Sequence, residues 1–219
     1  MDNLSIEKLE NKIVSDYADK ARKLDTKPMT EKQLLDMYAD YTLPLYDYLD
    51  ELFGFPYAIC NEIRAMLGHL SQYNSDKQLN RNELEKAYGH FRRVNLDSLK
   101  VICDELDRSL SPDWNKDTKY DFRNYDKEYV KEFGKRLIDA RNLYLKAQES
   151  ESVGSDSEVH NVFELYYESA VKYIELKQYY YKRVCDKGYI KIKRVTVIKH
   201  VLTIILTLYG IIVTVIGFC

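Results

Sequence analysis

Apolar side chains recur every three or four residues through most of this chain, a spacing that predicts helices rather than strands. Leu4, Leu9, Ile13, Tyr17, Ala21 and Leu24 mark a first amphipathic helix over residues 4–24. After the linker Asp25–Met29, Thr30 and Gln33 stand at the spacing of a capping box and open a second helix running toward Phe53. Pro44 interrupts it, and a proline inside a helix removes a backbone donor and kinks the axis. Gly54 and Pro56 then break the chain.

A third helix over 57–73 carries Ile59, Ile63, Met66, Leu67 and Leu70 as one apolar stripe. Asn80 and Glu83 cap a fourth, whose Leu84, Ala87, Phe91, Val94, Ile102 and Leu106 face inward as far as Leu110. A polar stretch around Trp114 has no periodic pattern. From Phe122 to Gln148 the spacing of Tyr129, Phe133, Leu137, Ala140 and Tyr144 predicts a fifth helix. The small, acidic run Glu149–Ser157 predicts a loop, and Glu158–Asp186 a sixth helix lined by Phe163, Tyr166, Tyr167 and Tyr173. Six helices and no convincing strand pair predict an all-α bundle, with the third and fourth helices, and the fifth and sixth, as antiparallel hairpins.

The final stretch breaks the amphipathic pattern. Residues 201–219 contain no Asp, Glu, Lys, Arg, Asn or Gln, and as a helix they would span about 28 Å, one hydrocarbon core. They predict a transmembrane helix. Its Thr203, Thr207, Gly210, Thr214 and Gly217 fall within an arc of about 80° at 3.6 residues per turn, and the same register reaches back to Thr196 and His200. Such a stripe can be a helix-packing seam, where small residues allow close approach and hydroxyls bond across the contact. It can equally line the lumen of a pore, or follow from the commonness of Thr and Gly in membrane helices.

Charge orients this segment. Lys182, Arg183, Lys187, Lys191, Lys193, Arg194 and Lys199 precede it with only Asp186 opposing them, so the positive-inside rule places the N-terminal body in the cytoplasm. The charged beginning of the chain has no apolar signal-peptide core, which predicts a tail anchor. The domains expected are therefore a bundle over 1–186, a basic juxtamembrane segment over 187–200 and a membrane helix over 201–219. The net charge of −2 conceals an asymmetry, with 28 basic against 35 acidic residues before position 187. A body of that sign is no general nucleic-acid binder, and any anionic ligand needs a local patch.

Candidate chemistry is sparse. The four cysteines are widely spaced and form no C-x-x-C pair, so free thiols are expected and no metal site or cofactor. Phosphate-binding loops, nucleophile elbows and the H-E-x-x-H motif are absent, which argues against an enzyme and leaves no catalytic residue to assign. One cluster remains, with Glu62, Arg64 and His69 on the third helix and His90, Arg92, Arg93, Asp97 and Lys100 on the fourth. His, Arg and Asp between two helices suit phosphate binding, acid/base work or a structural ion network. Tyr179–Tyr181 beside Lys182 and Arg183 have the composition of a stacking site for nucleotides, and equally of an interfacial anchor.

Arg64 followed five residues later by His69 resembles the arginine–histidine motif of the HEPN family, all-helical domains that cleave RNA. That resemblance implies phosphate positioning by Arg64 and proton transfer by His69, and hence a membrane-tethered ribonuclease. The whole architecture, a helical bundle on one C-terminal membrane helix, resembles the tail-anchored membrane effectors of bacterial anti-phage systems, the Hailong-type effector among them. It implies a homo-oligomer in the inner membrane that forms or gates an ion-permeable pore. It further implies an operon partner that makes a nucleotide or oligonucleotide ligand, bound by the bundle at Arg64, His69, His90, Arg92, Arg93, Lys182 and Arg183. A tail-anchored adaptor that recruits a partner to the membrane is the alternative.

Overall fold

The computed structural model describes residues 3–24, 26–28, 30–54, 56–75, 81–111, 127–153 and 159–183. These residues form α1 (Asn3–Val14), α2 (Tyr17–Leu24), α3 (Glu31–Met37), a π-helical turn (Tyr38–Thr42), α4 (Leu43–Phe53), α5 (Tyr57–Ser75), α6 (Arg81–Leu110), α7 (Lys127–Val153) and α8 (Val159–Arg183). No strand occurs among the described residues, and the fold is all-α. The unpatterned Trp114 stretch, the basic segment and the expected membrane helix lie outside the described residues.

Two long hairpins organise the bundle. Glu62 meets His90 and Arg93 while His69 meets Glu83, so α5 and α6 run antiparallel. In the same way Tyr129 stacks on Tyr179 and Tyr144 meets Tyr166 edge to face, which runs α7 against α8. The hairpins join through α6 and α8, whose facing residues Phe91, Val94, Leu99, Ile102, Phe163, Tyr166, Tyr173 and Ile174 are all buried. Small side chains let the axes approach: buried Cys103, Ala140 and Ser169 meet where α6, α7 and α8 cross, and the Ser169 hydroxyl donates to the Ala140 carbonyl at 3.1 Å. The predicted inward face of α6 is buried throughout. On α5, however, Leu67 is exposed, because it sits about 100° around the helix from buried Met66.

Three local departures from the sequence pattern have physical causes. The first helix is broken at Ser15 and Asp16, where Asp16 takes the left-handed conformation at φ 50°. The ammonium of Lys20 and the hydroxyl of Ser15 both reach the carbonyl of Lys12, capping the end of α1. Pro44 does not kink a helix interior. The π-turn ahead of it closes with a bond from Leu43 N–H to the Tyr38 carbonyl and leaves Pro44 in the first turn of α4, where its missing donor costs nothing. Buried Thr42 of that turn donates to buried Asn95 on α6 at 3.0 Å. Finally, α7 extends past Gln148 to Val153, into the stretch expected to be a loop. Glu151 holds it there by accepting from Lys100 at 2.5 Å and from the Tyr166 hydroxyl at 2.7 Å.

Tyrosine–carboxylate bonds recur between helices. Tyr48 donates to Glu10, Tyr144 to Asp104, Tyr166 to Glu151 and Tyr173 to Asp107. Each ring fills core or subcore space while its hydroxyl satisfies an acid on another helix, which accounts for much of the tyrosine-rich composition. Burial and, after it, the adjoining carboxylate raise the hydroxyl pKa of Tyr144, Tyr166 and Tyr173.

Candidate functional site

The α5/α6 hairpin gathers part of the cluster expected from sequence. His69 and His90 stack with ring centroids 5.2 Å apart and planes 20° from parallel. Each imidazole turns its Nδ1 to a carboxylate across the hairpin: His69 to Glu83 at 2.6 Å, His90 to Glu62 at 2.7 Å. Glu62 also accepts from Arg93 Nε at 2.8 Å, and Glu83 from Lys86 at 2.6 Å. Helical register explains the assembly. Glu62 and His69 lie two turns apart on one edge of α5, and His90 and Arg93 one turn apart on α6, so an antiparallel pairing brings both sets into one layer.

Arg93 also brings its guanidinium to within 2.8 Å of His90 Nδ1. That nitrogen can donate to Glu62 or accept from Arg93, but not both at once, so the position of one proton selects which partner holds the ring. Ionic bonds stabilise both carboxylates in their charged forms. Arg93, and then His90, lower the pKa of Glu62, while Lys86, and then His69, lower that of Glu83. Asp97 lies one turn beyond Arg93 and shifts the other way, because burial raises its carboxyl.

These shifts have a sign. A carboxylate whose folded pKa is lowered contributes stability that is present above its unfolded value, about 4.5, and is lost as pH falls through the folded value. The denaturation midpoint should therefore fall on acidification below about pH 4.5. In Glu62→Gln that fall should be smaller, with the midpoint at pH 7 already reduced. Equal acid sensitivity in the variant and wild type, followed by circular dichroism in urea, would contradict the assignment.

The other expected site residues are not brought into this layer. Arg64 is exposed, because five residues place it about 140° around α5 from His69. Arg92 turns away from Arg93 and lays its guanidinium over the Phe163 ring of α8 at 5.4 Å. Lys182 is exposed at the far end of α8, and nothing is described of the Arg183 side chain. The tyrosine run is mostly used within the bundle: Tyr179 stacks on Tyr129 at 5.0 Å beneath Arg136, and Tyr180 tilts against Phe133. Tyr181 alone of the three is exposed, as expected for consecutive residues that cannot share one helix face. His200, Thr203, Thr207, Gly210, Thr214 and Gly217 lie outside the described residues.

Glu83 and a second charged centre were not singled out from sequence. Glu83 has the spacing of a capping residue after Asn80, which hides its use by His69. The second centre is buried Glu10 on α1, which accepts from Lys177 and from Gln178 at 2.9 Å on α8, and from Tyr48 on α4 at 3.2 Å. Its signal was available: Glu10 lies between Ile6 and Ile13 on the apolar edge of its helix, where a carboxylate requires a buried partner. A groove of about 270 Å³ between α7 and α8 is lined by Glu132, Asp139 and Glu175 against Lys135, Arg136 and Lys172. It balances charge rather than concentrating one sign.

Among the described residues, no group of three or more His, Cys, Asp or Glu side chains is arranged to hold a metal ion. Nor is any helix among them long and apolar enough to cross a membrane. No family model, curated protein or solved structure matches the chain.

Proposed function

We propose that this chain is a membrane-anchored oligomeric effector of bacterial antiviral defence, whose helical bundle controls an ion-permeable assembly of the 201–219 segments. The observation that carries this reading is the 19-residue uncharged segment with Thr203, Thr207, Gly210, Thr214 and Gly217 at helical spacing in its sequence and a run of basic residues before it. Control acts through the α5/α6 hairpin. An anionic ligand, a nucleotide or oligonucleotide, competes with Glu62 for Arg93 and His90, and release of Glu62 alters how α5 sits on α6. The bundle thereby couples a phosphate-sized binding event to the helix pair at its core.

Ion flux from vesicles reconstituted with the full-length chain tests this reading, with a Thr203/Thr207/Thr214→Leu variant in parallel. Flux from the parent and none from an equally inserted variant is the expected result. Because a resting channel can be closed, the comparison is repeated after removal of the bundle. Silence in every arm would overturn the pore.

The adaptor reading draws on one observation of its own. His69, His90 and Arg93 are each already held by a carboxylate, so the hairpin is electrostatically complete without a ligand. In that case the 201–219 segment only localises the bundle. Exchange of this segment for another of equal hydrophobicity separates the two, since an adaptor keeps its function and a channel does not.

A further inference from the structure

Three features of α1 belong together. It is attached to the rest of the chain through a break only two residues long, at Ser15 and Asp16, and Asp16 there holds a left-handed φ of 50°, which aspartate tolerates better than most residues but which lies outside the helical region. The apolar positions nevertheless continue across the break in one register, through Leu9, Ile13, Tyr17, Ala21 and Leu24. Residues 3–24 therefore have the pattern of one straight helix, bent at a single left-handed residue. Moreover, α1 docks through a buried polar contact. Glu10, 4% exposed, enters a receptor made by Lys177, Gln178 and Tyr48, with the Lys177 ammonium also 5.3 Å from the Tyr48 ring and 5.8 Å from that of Tyr181.

We infer that α1 is an exchangeable arm, and that two copies of this chain pair by each lodging its Glu10 in the Lys177–Gln178–Tyr48 receptor of the other. Straightening at Asp16 joins α1 to α2 as one helix, returns Asp16 to the right-handed region and adds helical hydrogen bonds. It also withdraws α1 from its own bundle. The vacated receptor is a cation beside two aromatic rings, complementary to a carboxylate on an apolar helix face. A second α1 supplies that group with the same flanking Ile6, Leu9 and Ile13, so the exchanged contact repeats the closed one. Short hinges favour such exchange. The receptor lies on α8 and α4, so exchange links copies through the bundle. The inference rests on the oligomeric part of the function proposed above and not on its pore.

Charge reversal in two chains tests it. Glu10→Lys and Lys177→Glu are made in separate full-length chains carrying different tags. Each alone mismatches every possible contact, closed or exchanged, and should melt lower than wild type by on the order of 10 °C. When the two are co-expressed and purified through both tags, an exchanged pair contains one native and one reversed contact, both matched, and the melting temperature should recover. Co-purification with both bundles still melting low would mean oligomers without exchange, which overturns the inference and spares the proposed function. Failure to co-purify also overturns it.

The chain carrying both changes shows whether the site tolerates the reversed pair. If it does not, the hinge decides. A photo-crosslinker in place of Ile6, on the packed face of α1, joins two chains on a denaturing gel only when the arm is exchanged. Asp16→Ala, which disfavours the left-handed bend, should increase that inter-chain product severalfold over Asp16→Gly, which accommodates it. Equal yields from the two would overturn the exchange.

Discussion

Glu10→Ala is expected to destabilise the bundle by about 3–5 kcal/mol, because it removes the carboxylate and leaves the Lys177 ammonium buried. Lys177 is 9% exposed, and the Tyr48 and Tyr181 rings that remain beside its ammonium cannot neutralise a full positive charge. The loss should appear as a lower denaturation midpoint followed by helical circular dichroism. Removing both charges tells the pair's net worth from the cost of breaking it. Glu10→Leu with Lys177→Met fills the same space with apolar groups and should recover most of the stability, since the desolvation of two ions is no longer required. Were Glu10→Ala to unfold within about 1 kcal/mol of wild type, the buried pair would be of no structural consequence. The α1 docking described above would lose its main support with it.

Phe163→Ala should cost a similar amount, about 3–5 kcal/mol, for a different reason. Phe163 is 1% exposed at the α6/α8 contact, and truncation leaves a cavity that rigid neighbours such as Phe91 and Tyr166 can only partly fill. This substitution also defines the part played by Arg92. Its guanidinium lies over the Phe163 ring, a contact of about 0.5–1 kcal/mol at a partly exposed site. Arg92→Ala should therefore weaken the native bundle slightly, and less in the Phe163→Ala background, with the difference between the two backgrounds measuring the coupling. A different outcome would return Arg92 to the ligand site expected from sequence. That outcome is loss of function in Arg92→Ala with unchanged denaturation and no coupling to Phe163.

Much of the candidate site follows from register and part of it does not. The spacing of Glu62 and His69, and of His90 and Arg93, already places each pair on one edge of its helix, and a short connection makes the two helices antiparallel neighbours. What spacing cannot express is which carboxylate answers which imidazole. Glu83 lies in the first turn of α6, where a carboxylate also suits the helix dipole, and only the approach of His69 from α5 shows its second use. Arg92 and Arg93 are adjacent in sequence and chemically alike, yet they separate by about 100° around α6, one toward α8 and the other toward α5.

The fold divides along the same line. Helical periodicity by itself determined the all-α class and the inward face of α6, because each depends on side chains within one or two turns of one another, and short connections marked the two hairpins. Tertiary contacts decided the rest. The break at Asp16 interrupts an unbroken apolar stripe, since docking Glu10 and Ile13 against α4 and α8 outweighs the continuity of a single helix. The extra turn of α7 forms in an acidic, glycine-bearing stretch because Lys100 and Tyr166 reach Glu151 from two other helices. Local pattern sets where a helix can form. Partners more than fifty residues away in the case of Lys100, and well over a hundred in the case of Lys177, set where it starts, stops and bends.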